Sequence, residues 1–467
     1  MERLLRRLRK RFGGIFKRPE SKQESPLSTD HPAAPAPKER QQDPIKTAWT
    51  CPQPQADAPL ERLPPEVRRQ LLANLRLPDL RTLVRASPVF HQQYLMDRRF
   101  VLCKSLDTTL QRVAIDAFAA YQSSQAAFHA SRTNQSVSDF LDQYHERRSQ
   151  GRCSIYDEHP TETQVVDMVT FYFSFVKANI ENYLCWTSAN LAKCHESGPP
   201  LHSDALSASE EARIFRAFYR FELCCNVFGI GNHARIFLSP FTPQSLDIVN
   251  LFLCHFEPWQ VEEINCVYRY ARETHDRIFN DIAWDVDENN PKFDGQRPPT
   301  PTGAFDLGNS WNRDRFLSAI ISRGLKFLYT VTFKIKNHDH LVKIMQENID
   351  YPVGDFLGSF EALGETVQED RQLHIPSVRE EKQQRRDPLP FRGDTPLDDI
   401  NELHPPLAWT IIWQDTYSNL FGEWIPEKYR LWGYVMWDST RLESTGAKDV
   451  LLRQRGEEDW DPRDHMF

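Results

Sequence analysis

Cysteine and histidine side chains that could bind a metal occur as close pairs at three places in the sequence. These pairs are Cys224 with Cys225, Cys254 with His255, and His338 with His340. None has the CxxC or HExxH spacing that brings ligands together on one zinc ion. The first pair lies in an apolar stretch typical of packed thiols, and the last lies at a predicted helix start. The sequence therefore predicts no metal site.

Patterns typical of catalysis are also missing from the sequence. There is no GxSxG turn, and GIGNH at 229–233 lacks the lysine of a phosphate loop, so it predicts a helix end. Asp285, Asp287 and Glu288 cluster beside a polar loop, which is typical of a solvated face rather than of a general acid and base. We predict no catalytic residue and no cofactor.

The composition predicts a large folded protein outside the secretory route. The 467 residues are 40% hydrophobic, yet no apolar run approaches the ~18 to 20 residues of a membrane-spanning helix. Nine cysteines without regular spacing and no signal-peptide pattern favour a reducing compartment, which we take to be the cytoplasm or nucleus. The net charge is -8, with +6 in residues 1–50 and therefore -14 in the remainder. An acidic body argues against nucleic-acid binding.

The first 58 residues differ in composition from the rest. Residues 1–18 contain eight basic side chains and one acid, with Leu4, Leu8, Phe12 and Ile15 on one helical face. This segment is typical of a mitochondrial presequence, of a nuclear import patch or of a solvated basic tail, and the pattern leaves all three open. Residues 19–58 have too few large apolar groups to offset the cost of ordering, so they predict a disordered linker.

Apolar residues recur at helical spacing through the body of the chain. Thr161 with Gln164 and Ser207 with Glu210 form predicted capping boxes, each before a long apolar helix. Further helices are predicted near 137–148, 244–256, from Pro258 onward and over 314–329. The predicted fold class is all-α.

Polar, proline-rich stretches at 287–303 and 368–406 predict surface loops, and 448–467 predicts a polar tail. Between them, residues 407–445 are rich in Trp and Tyr and predict two helices around a loop, although LWGYVMWD also alternates as a strand does. Aromatic clusters are usually core, which is the favoured interpretation here. Trp424, Trp432 and Trp437 are the candidates for binding a target protein at a groove.

Residues 60–95 predict three short helices in succession. Pro64 and Pro65 open the first, and its apolar face begins at Val67. Pro78 opens the second, and Ser87 caps the third before Pro88. Helices this short must bury their leucines against the rest of the chain or against a partner.

These residues resemble an F-box. The resemblance is carried by Leu63-Pro64, Glu66-Val67, Leu71-Leu72, Leu80, Leu83 and the Ser87-Pro88 break, with Phe90 where many F-boxes have a tryptophan. In that family the apolar positions contact the Skp adaptor, which links the protein to a cullin and a RING subunit. The resemblance implies this role for Leu63, Pro64, Val67, Leu71, Leu72, Leu80 and Leu83.

The rest of the chain is similar to uncharacterised fungal proteins that begin with an F-box-like module, on segments such as FRAFYRFEL and LWGYVMWD. The resemblance implies a three-helix module at 59–105 and an irregular multi-helix body at 106–447 that binds an unknown target. The expected function is substrate recognition in a Skp-cullin-F-box ubiquitin ligase. Two alternatives are a structural or regulatory F-box protein, at mitochondria through residues 1–18, and an enzyme with an unrecognised helical active site.

Overall fold

The computed structural model describes segments that belong to one compact unit, Cys51–Phe467. The described segments are residues 58–151, 154–194, 205–230, 245–287, 290–291, 307–308, 310–348, 377–394 and 404–457. The predicted basic helix at 1–18 lies outside the described residues, as does all of the predicted linker except Ala58. Helices dominate these segments, and no β-strand occurs within them, which confirms the all-α prediction.

Four helices follow one another at the start of the described chain. They are α1 (Pro65–Ala73), α2 (Leu77–Ala86), α3 (Pro88–Met96) and α4 (Arg98–Leu110). The Ser87 hydroxyl accepts the Phe90 N–H at 3.2 Å, so the predicted cap of α3 is confirmed. All of α1, α2 and α3 contact α4, which runs across the predicted module boundary at residue 105. We call residues 59–105 the N-terminal module.

The next helices confirm the two predicted capping boxes, at Thr161 and at Ser207. The helices are α5 (Ala114–Ser123), α6 (Ala126–Ala130), α7 (Asn134–Ser149), α8 (Glu162–Phe171), α9 (Lys177–Cys194), α10 (Ala208–Phe228), α11 (Ser245–Leu251) and α12 (Pro258–Val286). A π-helical turn, Tyr172–Val176, joins α8 to α9. Almost every side chain of α10 is buried, because α10 packs between α5 and α12 at the centre of the protein.

Three arginines along α10 form buried ion pairs with acids from distant parts of the chain. The pairs are Arg213 with Asp438 (2.6 Å), Arg216 with Glu263 (2.5 Å) and Arg220 with Asp116 (3.1 Å). Each arginine is nearly inaccessible to solvent, so the charge must be compensated where it lies. These pairs therefore fix α10 against the N-terminal, central and C-terminal parts of the unit.

The C-terminal third differs most from the prediction. Its helices are α13 (Ser310–Ile321), α14 (Gly324–Tyr329), α15 (His338–Asn348), α16 (Val378–Gln384), α17 (Leu407–Ile412), α18 (Glu427–Arg430), α19 (Ser439–Ser444) and α20 (Ala447–Gly456). The predicted loop at 368–406 contains α16, and the predicted polar tail contains α20, whose Val450 and Leu451 are fully buried. The strand alternative for LWGYVMWD is wrong, because Gly433 has a φ of 66° and Tyr434–Met436 is a 3-10 turn.

No single helix among the described residues is long and apolar enough to cross a membrane. One bent pair, Arg313–Ile321 with Gly324–Lys334, meets the length and composition criteria only when its halves are combined, and these halves meet at 106°. Phe316, Leu325 and Leu328 of this pair are buried in the protein core.

Candidate functional site

The apolar side chains predicted to contact an adaptor do not all face the same way. Leu72 and Leu80 have 0% and 3% of their surface exposed, because they pack into the protein's own core. Their assignment as adaptor contacts is therefore corrected: in this structure they stabilise the fold. Leu63, Leu71 and Leu83 are half-buried and retain some accessible surface.

The inward-facing leucines are buried because α4 lies beneath α1 and α2. The Leu77 N–H donates to the Thr109 hydroxyl at 2.8 Å, and the Ser105 hydroxyl donates to the Leu72 carbonyl at 3.3 Å. Thr109 is one turn from Ser105 on α4, so one polar stripe of this helix satisfies backbone groups of its neighbours. The amphipathic pattern of residues 60–95 does not reveal this partner, which lies further along the chain.

A second set of apolar side chains in the N-terminal module faces solvent. Val67, a predicted contact, is 45% exposed, and Pro64 is also exposed. Leu60, Leu95 and Met96 are 50%, 51% and 66% exposed. We call Leu60, Val67, Leu95 and Met96 the apolar rim. Sequence reasoning missed three of the four because they lie at the ends of elements, outside the periodic faces.

Polar contacts hold the elements that carry the apolar rim. Glu61 is buried, and its carboxylate accepts the Ser87 hydroxyl at 2.6 Å, which attaches the turn Pro59–Arg62 to the start of α3. Arg68 of α1 donates to the Glu61 carbonyl at 2.7 Å. Arg69 forms an ion pair with Asp97 at 3.1 Å, so the end of α3 is held against α1. These contacts hold in place the backbone that carries the apolar rim.

Ion pairs also attach the N-terminal module to the body. Arg76 pairs with Glu211 of α10 at 2.8 Å, and Arg98 pairs with Glu162 of α8 at 3.3 Å. Arg99 donates to the Pro160 carbonyl at 2.7 Å. Because the same module also shares the buried core, a partner bound to the apolar rim would be held at a defined position relative to the body.

The predicted target-binding tryptophans have different environments. Trp432 and Trp437 have 0% exposed surface, and the Trp437 indole N–H donates to the Trp432 carbonyl at 2.8 Å. The Trp432 indole N–H donates to the Gln454 side chain at 3.2 Å. Both are core residues and offer no surface to a target, so their candidate role is corrected. Trp424 is half-buried and is the one of the three that retains accessible surface.

The described residues contain no group of three His, Cys, Asp or Glu side chains that could hold a metal ion. Cys224 and Cys225 are buried, and burial raises the pKa of the Cys225 thiol well above its usual value. His338 lies exposed at the start of α15, where its imidazole contacts the Asp285 carboxylate at 2.7 Å. GIGNH is described only to Ile230, and Gly229 ends α10 as predicted.

Comparisons of the chain with models of protein families, with curated proteins and with solved structures find no significant match. The resemblance to an F-box therefore depends on the residues of the N-terminal module alone. The exposed apolar side chains of that module are the structural feature that bears on its function.

Proposed function

We propose that the chain is a non-catalytic adaptor that docks on a Skp-type protein through its N-terminal module and binds a target protein through its helical body. One observation carries this proposal. Seven large apolar side chains are exposed among the described residues, and four of them form the apolar rim within residues 60–96. These four side chains lie on the module that resembles an F-box, and a partner that docks on this module could bury them.

Docking through the apolar rim requires no catalytic side chain on this chain. An adaptor acts by holding a target near a reactive group carried by another subunit, which raises the effective concentration of the two. A rigid connection between docking module and body serves that purpose, and the shared core and the Arg76–Glu211 ion pair provide one. The exposed Pro64 and the half-buried Leu63, Leu71 and Leu83 are the remaining predicted contacts in the N-terminal module.

The proposal is tested by replacing exposed residues of the apolar rim and measuring binding to a purified Skp adaptor by biolayer interferometry. The double variant Leu60→Asp with Val67→Asp is expected to weaken binding by about a hundredfold or more, because a contact would bury two charges without partners. Both positions are exposed, so the variant should keep the circular dichroism spectrum of the native chain.

The matched control is Val378→Asp with Leu452→Asp, since these side chains are also exposed, at 68% and 46%, but lie outside the N-terminal module. This control should bind as the native chain does. Native affinity in the folded Leu60 and Val67 variant would show that the apolar rim is not the docking surface.

A further inference from the structure

A polar groove of about 720 Å³ lies between α9 and α12. One wall runs from Asn182 to Lys193 on α9, and the other runs from Arg269 to Asn280 on α12. In each wall, the other lining residues lie 3, 4, 7, 8 and 11 positions after the first one. Residues with these spacings form one continuous face of a helix. From its first to its last lining residue each wall rises by eleven residue steps, or about 16 Å, which matches about five residues of an extended peptide.

The acidic groups in this polar groove already have cationic partners. Glu273 pairs with Arg269 at 3.1 Å, and Asp276 pairs with Arg313 at 2.7 Å. The Arg313 guanidinium also donates to the Asp276 carbonyl at 3.0 Å, so this carboxylate is held firmly. Each carboxylate of the groove therefore has a guanidinium beside it, and Glu273 shares its guanidinium with Glu427.

Two cations of the polar groove are available to a ligand. Lys193 is exposed and donates to the Asn190 side chain at 2.8 Å, but it forms no ion pair with any described residue. Arg277 is exposed and likewise has no ion-pair partner in the described part of the chain. These cations lie in a body whose residues 51–467 carry a net charge of -14, so the groove is a local exception to the charge of its surroundings.

An aromatic platform lies between the charged groups. The half-buried Trp186 packs edge-to-face on Tyr270, with ring centroids 5.5 Å apart, and its indole N–H donates to Glu273 at 3.2 Å. The Asn182 side chain donates to the Tyr270 hydroxyl at 2.5 Å. Because these contacts hold the rings in place before any ligand arrives, little side-chain entropy is lost on binding.

We infer that the polar groove binds an acidic peptide segment of a partner protein, with the carboxylates of the peptide at Lys193 and Arg277 and its apolar portion on Trp186. A nucleic acid fits less well, since its phosphates need many cations, whereas Arg272 and Arg269 of the groove are already paired with Asp314 and Glu427. The inference concerns the body alone; only the role of the peptide as a ubiquitination target rests on the proposed function.

The test is fluorescence anisotropy on the full chain with two labelled peptides of eight residues. One contains Glu and Asp around a single Leu, and the other has Gln and Asn at the same positions. The acidic peptide should bind at least about tenfold more tightly, and its affinity should fall as salt is added. This assay contains no Skp adaptor, so a lack of peptide binding would not bear on adaptor docking, which is measured separately.

Two variants with matched controls locate the site. Ala189→Glu places an acid in the groove, whereas Ala192→Glu makes the same change at an exposed position of α9 that does not line it. Lys193→Glu with Arg277→Glu reverses the two unpaired cations, whereas Lys336→Glu with Lys343→Glu reverses exposed lysines elsewhere. The groove variants should weaken binding of the acidic peptide by about tenfold and the controls by less than about twofold.

Three results would overturn the inference. Equal affinity for the two peptides would remove the charge preference, and equal losses in groove and control variants would indicate non-specific attraction. Binding that emerges only when residues 458–467 are deleted would assign the groove to the acidic end of this chain instead of a partner.

Discussion

The Glu222 carboxylate accepts the backbone N–H of Leu325 at 2.7 Å, which connects the middle of α10 to the first turn of α14. The other carboxylate oxygen is buried without a hydrogen-bond partner. Burial raises the pKa of Glu222 to about 7, although the Leu325 N–H and Lys326 oppose the shift. The group is therefore close to half-protonated near neutral pH.

Replacing Glu222 by Gln should make the protein less sensitive to a rise in pH from mild acid to neutrality. A carboxyl group with a folded-state pKa of about 7 and an ordinary value of 4.5 favours folding below pH 4.5 and loses that advantage as pH rises through 7. The whole shift corresponds to about 3 kcal/mol. Urea unfolding should thus show Glu222→Gln gaining stability over the native protein between pH 5.5 and pH 8.5. The exposed Glu181→Gln should give no such gain, and a gain of equal size there would contradict the assignment to Glu222.

Gly324 should not tolerate a side chain. Its φ is +76°, and a Cβ atom would lie 2.5 Å from a Glu222 carboxylate oxygen. Gly324→Ala is expected to lower the unfolding free energy by about 2 kcal/mol or more, since both the backbone conformation and the contact become unfavourable. Gly456→Ala is the matched control because nothing lies within 4 Å of its Cβ position, and it should be neutral or slightly stabilising in thermal unfolding.

The helix starts that depend on a side chain and a nearby backbone N–H were predicted from the sequence. The caps at Ser87, Thr161 and Ser207 are present because each side chain needs only the backbone N–H three residues further on. The same signal exists at Ser377, where a capping box with Glu380 starts α16, but proline and charge around it favoured a loop.

The candidate site was less predictable because burial depends on distant packing. Leu72 and Val67 are both predicted adaptor contacts on α1, yet the first is fully buried and the second is 45% exposed. The difference arises from α4, whose position against α1 no local spacing reveals. Likewise, the aromatic content of residues 407–445 predicted a core, but it did not distinguish the two tryptophans. Trp432 is fully buried in that core, whereas Trp424 is only half-buried.

The buried Glu262–Arg430 pair should be costly to break. Arg430 donates to both Glu262 oxygens, at 2.8 and 3.1 Å, and the carboxylate also accepts the Gly422 N–H at 2.9 Å. Arg430→Met would leave a buried carboxylate without its cation and should lower the unfolding free energy by about 3 to 5 kcal/mol.

A double-mutant cycle with Glu262→Gln checks this prediction, since the loss in the double variant should be well below the sum of the single losses. The exposed pair Lys177–Glu181, at 3.9 Å, serves as the control, and Lys177→Met should change stability by less than about 1 kcal/mol. Additive losses in the Glu262 and Arg430 cycle would mean that the two side chains do not stabilise each other.

His275 should make the protein sensitive to mild acid. Its ring is buried against Phe327, its Nδ1 has no hydrogen-bond partner, and desolvation lowers its pKa to about 3. Between pH 6.5 and pH 3 the unfolded chain therefore binds a proton that the folded chain does not, so stability falls as pH falls, by about 1.4 kcal/mol per pH unit. His145 has the same direction of shift, from burial and then from the stacked His255 ring, 3.6 Å away.

His275→Gln should consequently lose less stability than the native protein when the pH is lowered from 7.5 to 5.5. The difference should be about 1.4 kcal/mol in urea unfolding, and because each variant is compared with itself at two pH values, the packing lost with the ring cancels. His340→Gln, at an exposed position, should keep the native pH dependence. If His275→Gln also kept the native pH dependence, His275 would be protonated in the folded protein. Protonation would require water or an acid beside the ring, which the structure places in the core.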